Sequence, residues 1–337
     1  MPRCPRIWPY GFWGCSVRLD QRLRQLRGGE LPEPAPAPQR SDLAERLRRL
    51  GGADRRHATV PVPDEPALAE RLGARTLAPG VLRVERRYPL TRRHGRIVLG
   101  ACVPELPSLA RDCGPPSGWL FLDTETSGLA GGTGTWAFLC GLARIEGDDL
   151  LVRQYLLARL DAEPAYLDAV GGEIRSAGLL VTYNGKTFDV PLLATRFRLA
   201  WMRSPLGPMA HLDLLGLVRR AFAPVWPDCR LATAEARLLG VGREGDLPGS
   251  EAPSAWLSWL RQGQVDALAG VLEHNRRDLL SLPALVPALA QSLRDPAATG
   301  ADIGSVAAHH LRVGDRERAF GLLSANRGRL CARGLLD

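Results

Sequence analysis

The chain has 337 residues, 45% hydrophobic and 24% charged, enough for one large domain or two smaller ones around a buried core. Its net charge is +8, and residues 1–60 supply +6 of that (12 Arg against 6 Asp and Glu), which suits either a polyanionic partner such as nucleic acid or a solvated arginine-rich helical face. No run reaches the roughly 18 apolar residues of a membrane span, Ile7–Trp13 is too short for a signal sequence, and the seven cysteines form no C-x-x-C pair or zinc spacing; a cytoplasmic protein with neither disulfide framework nor structural zinc is expected.

Residues 1–80 read as an arginine-rich, partly disordered helical region, with amphipathic stretches at Arg18–Arg27 and Asp42–Leu50 separated by the proline-rich linker Leu31–Pro38. Residues 81–295 read as the main domain. It opens with a hairpin in which Val84, Tyr88, Ile97 and Val98 flank the basic turn Arg92–Gly95. Strand and helix then alternate: a short strand Trp119–Leu122, a hairpin of Trp136–Ile145 and Leu150–Leu157 turned at Gly147–Asp149, and a helix Pro164–Ser176. A strand Leu179–Tyr183, a helix from about Val190 to Trp201, a strand ending near Asp213 and a long helix Ala267–Ala290 complete it, giving an α/β fold with helices covering a sheet. Residues 296–337 place Ala307, Leu311, Gly314, Ala319 and Leu323 at the spacing of one tetratricopeptide-like helical hairpin. A single such unit cannot bury its own face, so the tail must pack on the domain or on a protein partner.

Three segments carry residues suited to metal-assisted hydrolysis. Asp123-Thr124-Glu125 ends a strand, and the two-residue period of a strand sets both carboxylates on one face; a solvated strand edge has the same pattern. The turn that follows, with Thr126, Gly128 and Leu129, lets backbone approach a nucleotide closely. In Tyr183-Asn184-Gly185-Lys186-Thr187-Phe188-Asp189, Asp189 stands where a helix begins, a position that an N-cap would also explain. His274 and Asp278 lie at i and i+4, one turn apart on one helical face. A histidine titrating near neutrality can take a proton from an attacking water.

In that order, the Asp123-x-Glu125, Asn184…Phe188-Asp189 and His274…Asp278 segments resemble the three motifs of the DEDD (DnaQ-like) exonuclease superfamily. The blocks Phe121–Thr135, Val181–Leu193, His211–Leu215, Asp246–Gly249 and Glu273–Leu282 resemble more closely its YprB-like ribonuclease H-like family. The resemblance implies a ribonuclease H-like, mixed five-stranded sheet flanked by helices, with 3′-to-5′ exonuclease activity on DNA or RNA and two Mg²⁺ or Mn²⁺ ions. It implies Asp123, Glu125, Asp189 and Asp278 as metal ligands and His274 as general base, with Thr126, Gly128, Leu129, Asn184, Lys186 and Phe188 binding substrate. Histidine-type members of the superfamily usually set four residues between the histidine and the last aspartate; here there are three, the spacing of the tyrosine-type members.

Asp213 is a secondary candidate that would orient the site or cap a helix. Glu235, Trp256 and Trp259 would line a groove for a single strand or belong to the core. Lys186 is the only lysine beside 43 arginines, and its place three residues before Asp189 suggests a compact ammonium meeting a phosphate or carboxylate. Two other functions compete: a nucleic-acid-binding scaffold that keeps the fold, and a phosphohydrolase acting on mononucleotides.

Overall fold

In a computed structural model of the chain, the structure describes residues 63–103, 118–128, 133–207 and 209–331. The helices and linker expected before Pro63, and Leu129, lie outside the described residues. Helix α1 (Glu65–Leu72) is capped by the Asp64 side chain, which accepts from Ala67 N, and buries Leu68 and Leu72. Strands β1 (Arg75–Ala78) and β2 (Val81–Pro89) form an antiparallel hairpin. The basic turn expected in the sequence is a separate two-residue ribbon of β3 (Arg93–His94) and β4 (Ile97–Val98).

Strand β5 (Trp119–Thr126) runs four residues beyond its expected end, followed by β6 (Ala137–Glu146) and β7 (Asp149–Leu157), whose turn places Gly147 at φ 58°. Helix α2 (Glu163–Arg175), β8 (Leu179–Thr182), α3 (Asp189–Leu199), β9 (Ala210–Asp213) and α4 (Leu214–Phe222) then alternate. The chain continues through α5 (Leu231–Ala234), a π-turn (Glu235–Leu239), α6 (Ala252–Gln262) and the 29-residue α7 (Asp266–Arg294). It ends in α8 (Pro296–Thr299), α9 (Ile303–Arg312), α10 (Arg316–Ala325) and α11 (Arg327–Cys331). No described helix is long and apolar enough to cross a membrane.

The sheet order is β1-β2-β7-β6-β5-β8-β9, with β5, β8 and β9 parallel and the other pairs antiparallel. The five strands from β7 to β9 are the expected ribonuclease H-like sheet, and the count rises to seven because β2 pairs with β7 over nine residues and brings β1 with it. That pairing covers what would otherwise be a long open edge on β7. The domain thus begins before residue 81: Leu68 and Leu72 of α1 join the core.

Residues alternate between the two faces of the sheet, as strand geometry requires. On β5, Leu120 and Leu122 join the layer built with α1, α2, α3 and α6, while Trp119 and Phe121 join the layer built with α4 and α7. The tail hairpin packs on the domain: Val306 of α9 enters the second layer and Asp302 N donates to Ala221 O at the end of α4.

Candidate active site

Asp123 and Glu125 continue the β5 face that carries Trp119 and Phe121, the face covered by α7. Helix α7 approaches closely there through Asn275, fully buried, whose Nδ2 donates to Asp123 Oδ2 (2.8 Å) and to the Asp123 main-chain oxygen (3.2 Å). Asn275 Oδ1 in turn accepts from Gln154 Nε2 (2.8 Å). The approach requires glycine at position 141, which pairs with Asp123 across β5 and β6. A Cβ at Gly141 would stand 2.2 Å from Asn275 Oδ1.

Thr124 faces α3. Its N–H and Oγ1 donate to Asp189 Oδ1 (3.1 and 2.5 Å), which ties the first residue of α3 to the strand. Asp278 comes from α7, one turn after His274. Glu125, Asp189 and Asp278 are all buried.

Four acids from three elements therefore share one low-dielectric region. Burial, followed by the charges of Asp278, Asp189 and Glu125, pushes the Asp123 carboxyl well above the usual range. Burial and the charges of Asp278 and Asp189 do the same to Glu125. Asp189 rises to about 6 through burial, against the hydrogen bonds from Thr124. Asp278 also rises to about 6 through burial, against Arg243 and His274. In the present arrangement no three described His, Cys, Asp or Glu side chains stand together closely enough to hold an ion. Asp123, Asp189 and Asp278 are each engaged by a donor of the chain, and one of these donors is a cation.

That cation is Arg243, a residue the sequence did not single out. Its Nη2 donates to Asp278 Oδ1 (2.5 Å), its Nε to Glu235 Oε2 (2.6 Å) and its Nη1 to Asp246 Oδ2 (3.3 Å). Glu235, a secondary candidate in the sequence, is buried and also accepts from Ser281 Oγ (2.5 Å). Asp246 Oδ2 lies 2.8 Å from His274 Nδ1, and His274 Nε2 stands 3.7 Å from Asp278 Oδ2. With Nδ1 carrying its proton toward Asp246, Nε2 of a neutral ring keeps its lone pair.

A cavity of about 520 Å³ opens over the acids, lined by Asp123, Glu125, Asp189, Asn184 and Phe188 among others. Thr126 and Gly128 line it too, and Thr126 Oγ1 donates to Gly128 O (3.0 Å). Phe188 is 57% exposed, an unusual position for a phenyl ring outside a binding site. Asn184 adopts a left-handed backbone (φ 69°), and Asp213 holds that turn by accepting from Asn184 N (2.8 Å) and Lys186 N (3.0 Å) while capping α4 through Leu215 N (3.1 Å). Asp213 thus caps a helix, one of the two roles open to it in the sequence, and fixes the 184–186 turn as well. The Lys186 side chain is exposed and makes no ion pair with a described carboxylate.

Of the two readings open to the tryptophans in the sequence, the structure has the core one. Trp256 and Trp259 are 1% and 0% exposed and donate their Nε1 protons to the carbonyls of Leu157 and Ala158, so they anchor α6 to the end of β7 instead of lining a groove.

Residues 120–290, half of the chain, match the family model of the RNase H superfamily. The chain is 37% identical over 209 residues to the uncharacterized protein YprB of Bacillus subtilis (strain 168), covering 59% of this chain and 50% of that protein. It therefore spans about half the length of that curated relative. Among solved structures it is similar to the family B DNA polymerase from the hyperthermophilic archaeon Pyrobaculum calidifontis, with a TM-score of 0.42, 15% identity, and 57% of this chain and 28% of that chain covered. The chain belongs to the RNase H superfamily, as a member of its YprB-like ribonuclease H-like family.

Proposed function

We propose that the protein is a metal-dependent nuclease that removes nucleotides from the 3′ end of a DNA or RNA strand. The observation that carries the reading is the gathering of Asp123, Glu125, Asp189 and Asp278 from β5, α3 and α7 into one buried acidic cluster, with Asp123, Glu125 and Asp189 lining one cavity and Asp123 and Asp278 the cavity beside it. Their chemistry suits two hard divalent cations, Mg²⁺ or Mn²⁺: every donor is an oxygen, and burial raises the proton affinity of all four carboxyls, with the neighbouring acids adding to it at Asp123 and Glu125. Held by these four residues, such ions would supply an activated water and neutralise the leaving oxygen.

The remaining roles fall to the chain's own groups. Asp246 orients the His274 ring, and Nε2 is the atom that accepts the proton of the attacking water. Phe188, Thr126 and the backbone of the 184–186 turn receive the terminal nucleoside, with Phe188 offering a ring face to its base.

The test is incubation of the purified chain with 5′-labelled single- and double-stranded DNA and RNA, in Mg²⁺, Mn²⁺ or EDTA, beside Asp123→Asn. A ladder shortening from the 3′ end in metal alone, and absent in the variant, is the expected result. Cleavage of mononucleotides alone, or full activity in Asp123→Asn, would sink the proposal.

A further inference from the structure

A second cavity, of about 720 Å³, adjoins the first. Asp123, Tyr183 and Asn184 line both, so the two meet at the acidic cluster with the 183–184 turn between them. They differ in the charged groups they present. Among the described residues, the charged side chains lining the first cavity are all acids: Asp123, Glu125 and Asp189. The second adds two cations, Arg219 of α4 and Arg230 of the following loop, to the acids Asp123, Asp228 and Asp278. Both guanidinium groups are exposed, and neither forms a hydrogen bond or ion pair with a described residue.

The loop that carries Arg230 is built rather than slack. Tyr183 Oη donates to Cys229 O (2.7 Å), while Asp228 accepts from Arg230 N (2.9 Å) and Thr233 Oγ1 (2.6 Å). Trp226 walls the cavity with one face stacked on Phe222 at 4.0 Å and Arg237 over its ring at 5.6 Å, so it shapes the space without offering a free face to a base.

A polyanion whose cut bond lies at the acids cannot run its backbone along a wall that is only negative. Cations without partners are what its phosphates require. We propose that Arg219 and Arg230 hold the backbone phosphates of a single strand of nucleic acid on the side of the cluster opposite the terminal nucleoside. This rests on the nuclease reading for the place of the cut bond, but the cation pair can be tested without cleavage.

The probe is a fluorescein-labelled 12-nucleotide dT strand, with the same-length U strand as a second arm. Binding to the full chain is read by anisotropy in EDTA over a series of salt concentrations. Two phosphate contacts contribute about 0.7 each to the slope of log K against log salt, so Arg219→Ala/Arg230→Ala should lower that slope by about 1.4 and weaken binding at low salt. Arg316→Ala/Arg318→Ala, removing equal charge from exposed positions on α10, should leave the slope unchanged. In cleavage assays the first pair should raise KM for the 12-mer with little change in kcat.

Equal slopes in all three proteins, or no binding by the wild type, overturn the proposal. A wild type that binds with the expected slope loss in the variant yet cleaves nothing leaves the arginine pair standing and removes the nuclease reading. Cleavage with KM and slope unaltered in the variant does the reverse.

Discussion

Gly141→Ala tests whether α7 is held against the sheet by close approach. The new Cβ would stand 2.2 Å from Asn275 Oδ1 and 2.6 Å from Leu279 Cδ1, where ordinary contact begins near 3.4 Å. Leu279 can turn its methyl aside, but Asn275 is fully buried between Gln154 and Asp123 and has no second position that keeps both hydrogen bonds. If Asn275 leaves, its three hydrogen bonds to Asp123 and Gln154 go, at about 1 kcal/mol each, and polar groups are left unpaired at a further cost of about 1–3 kcal/mol. If it stays, α7 must back away, and overpacking of this kind costs about 1–3 kcal/mol. The cheaper route sets the loss, at about 1–3 kcal/mol, or roughly 2–12 °C in Tm for a domain of this size.

Urea unfolding of wild type, Gly141→Ala, Asn275→Ala and the double variant measures it. Because Asn275→Ala removes the clashing atom, the alanine at 141 should cost at least about 1 kcal/mol less in that background. Gly172→Ala in α2 is the control: nothing but the Arg175 side chain approaches within 4 Å, at 3.9 Å, so helix propensity should make it stabilising by up to about 1 kcal/mol. Additive costs in the cycle, or a Gly141→Ala as stable as wild type, would refute the close-approach account.

Arg243→Gln should destabilise the metal-free protein by about 3–5 kcal/mol, because Asp278, Glu235 and Asp246 lose their shared cation. The same variant should show a larger rise in Tm on adding Mn²⁺ than wild type, and an unchanged metal-free Tm would contradict the role. His274→Ala should slow cleavage about 10²–10⁴-fold. Asp246→Asn should fall between that variant and wild type, and wild-type kinetics in His274→Ala would move the proton to another group. His94 is pushed down to about 4, first by burial and then by Arg276, Arg92 and Arg243; its Nε2 donates to Ser281 Oγ, whose own proton goes to Glu235. A folded-state value below the unfolded 6.5 gives stability that is present above about pH 6.5 and lost as pH falls toward 4, on the order of 1–2 kcal/mol after solvent screening. His94→Gln, which keeps a donor, should flatten thermal stability over that window, and an identical pH curve would contradict the assignment.

What the sequence revealed of this site follows from periodicity. Asp123 and Glu125 could be placed on one face because a strand repeats every two residues, and His274 and Asp278 because a helix nearly repeats every four. Asp189 could be placed because it opens a helix. Thr124 lies between two acids and reads as a spacer, yet it is what ties α3 to β5. Arg243 had no signal, being one of 43 arginines on a glycine-rich loop, and only the fold brings it to Asp278, 35 residues away. The β1 segment was equally silent: its four residues show no buried alternation, and β2 recruits it to the sheet.

The spacing of His274 and Asp278 shows why partners outside the helix matter. With three residues between them, both side chains leave the same face of α7 one turn apart, and Nε2 comes within 3.7 Å of Asp278 Oδ2. A ring so placed could turn toward Asp278 and spend its lone pair's surroundings on a structural ion pair. Asp246, from the loop before α6, removes that freedom by taking Nδ1, and Arg243 holds the Asp278 carboxylate through its other oxygen, Oδ1. Helix α7 thus supplies the two groups at a fixed separation, while a loop carrying Arg243 and Asp246 decides which way the imidazole faces. The 242–248 segment therefore belongs to the site as much as the helix does, and substitutions there should alter rate without touching any of the four acids of the cluster.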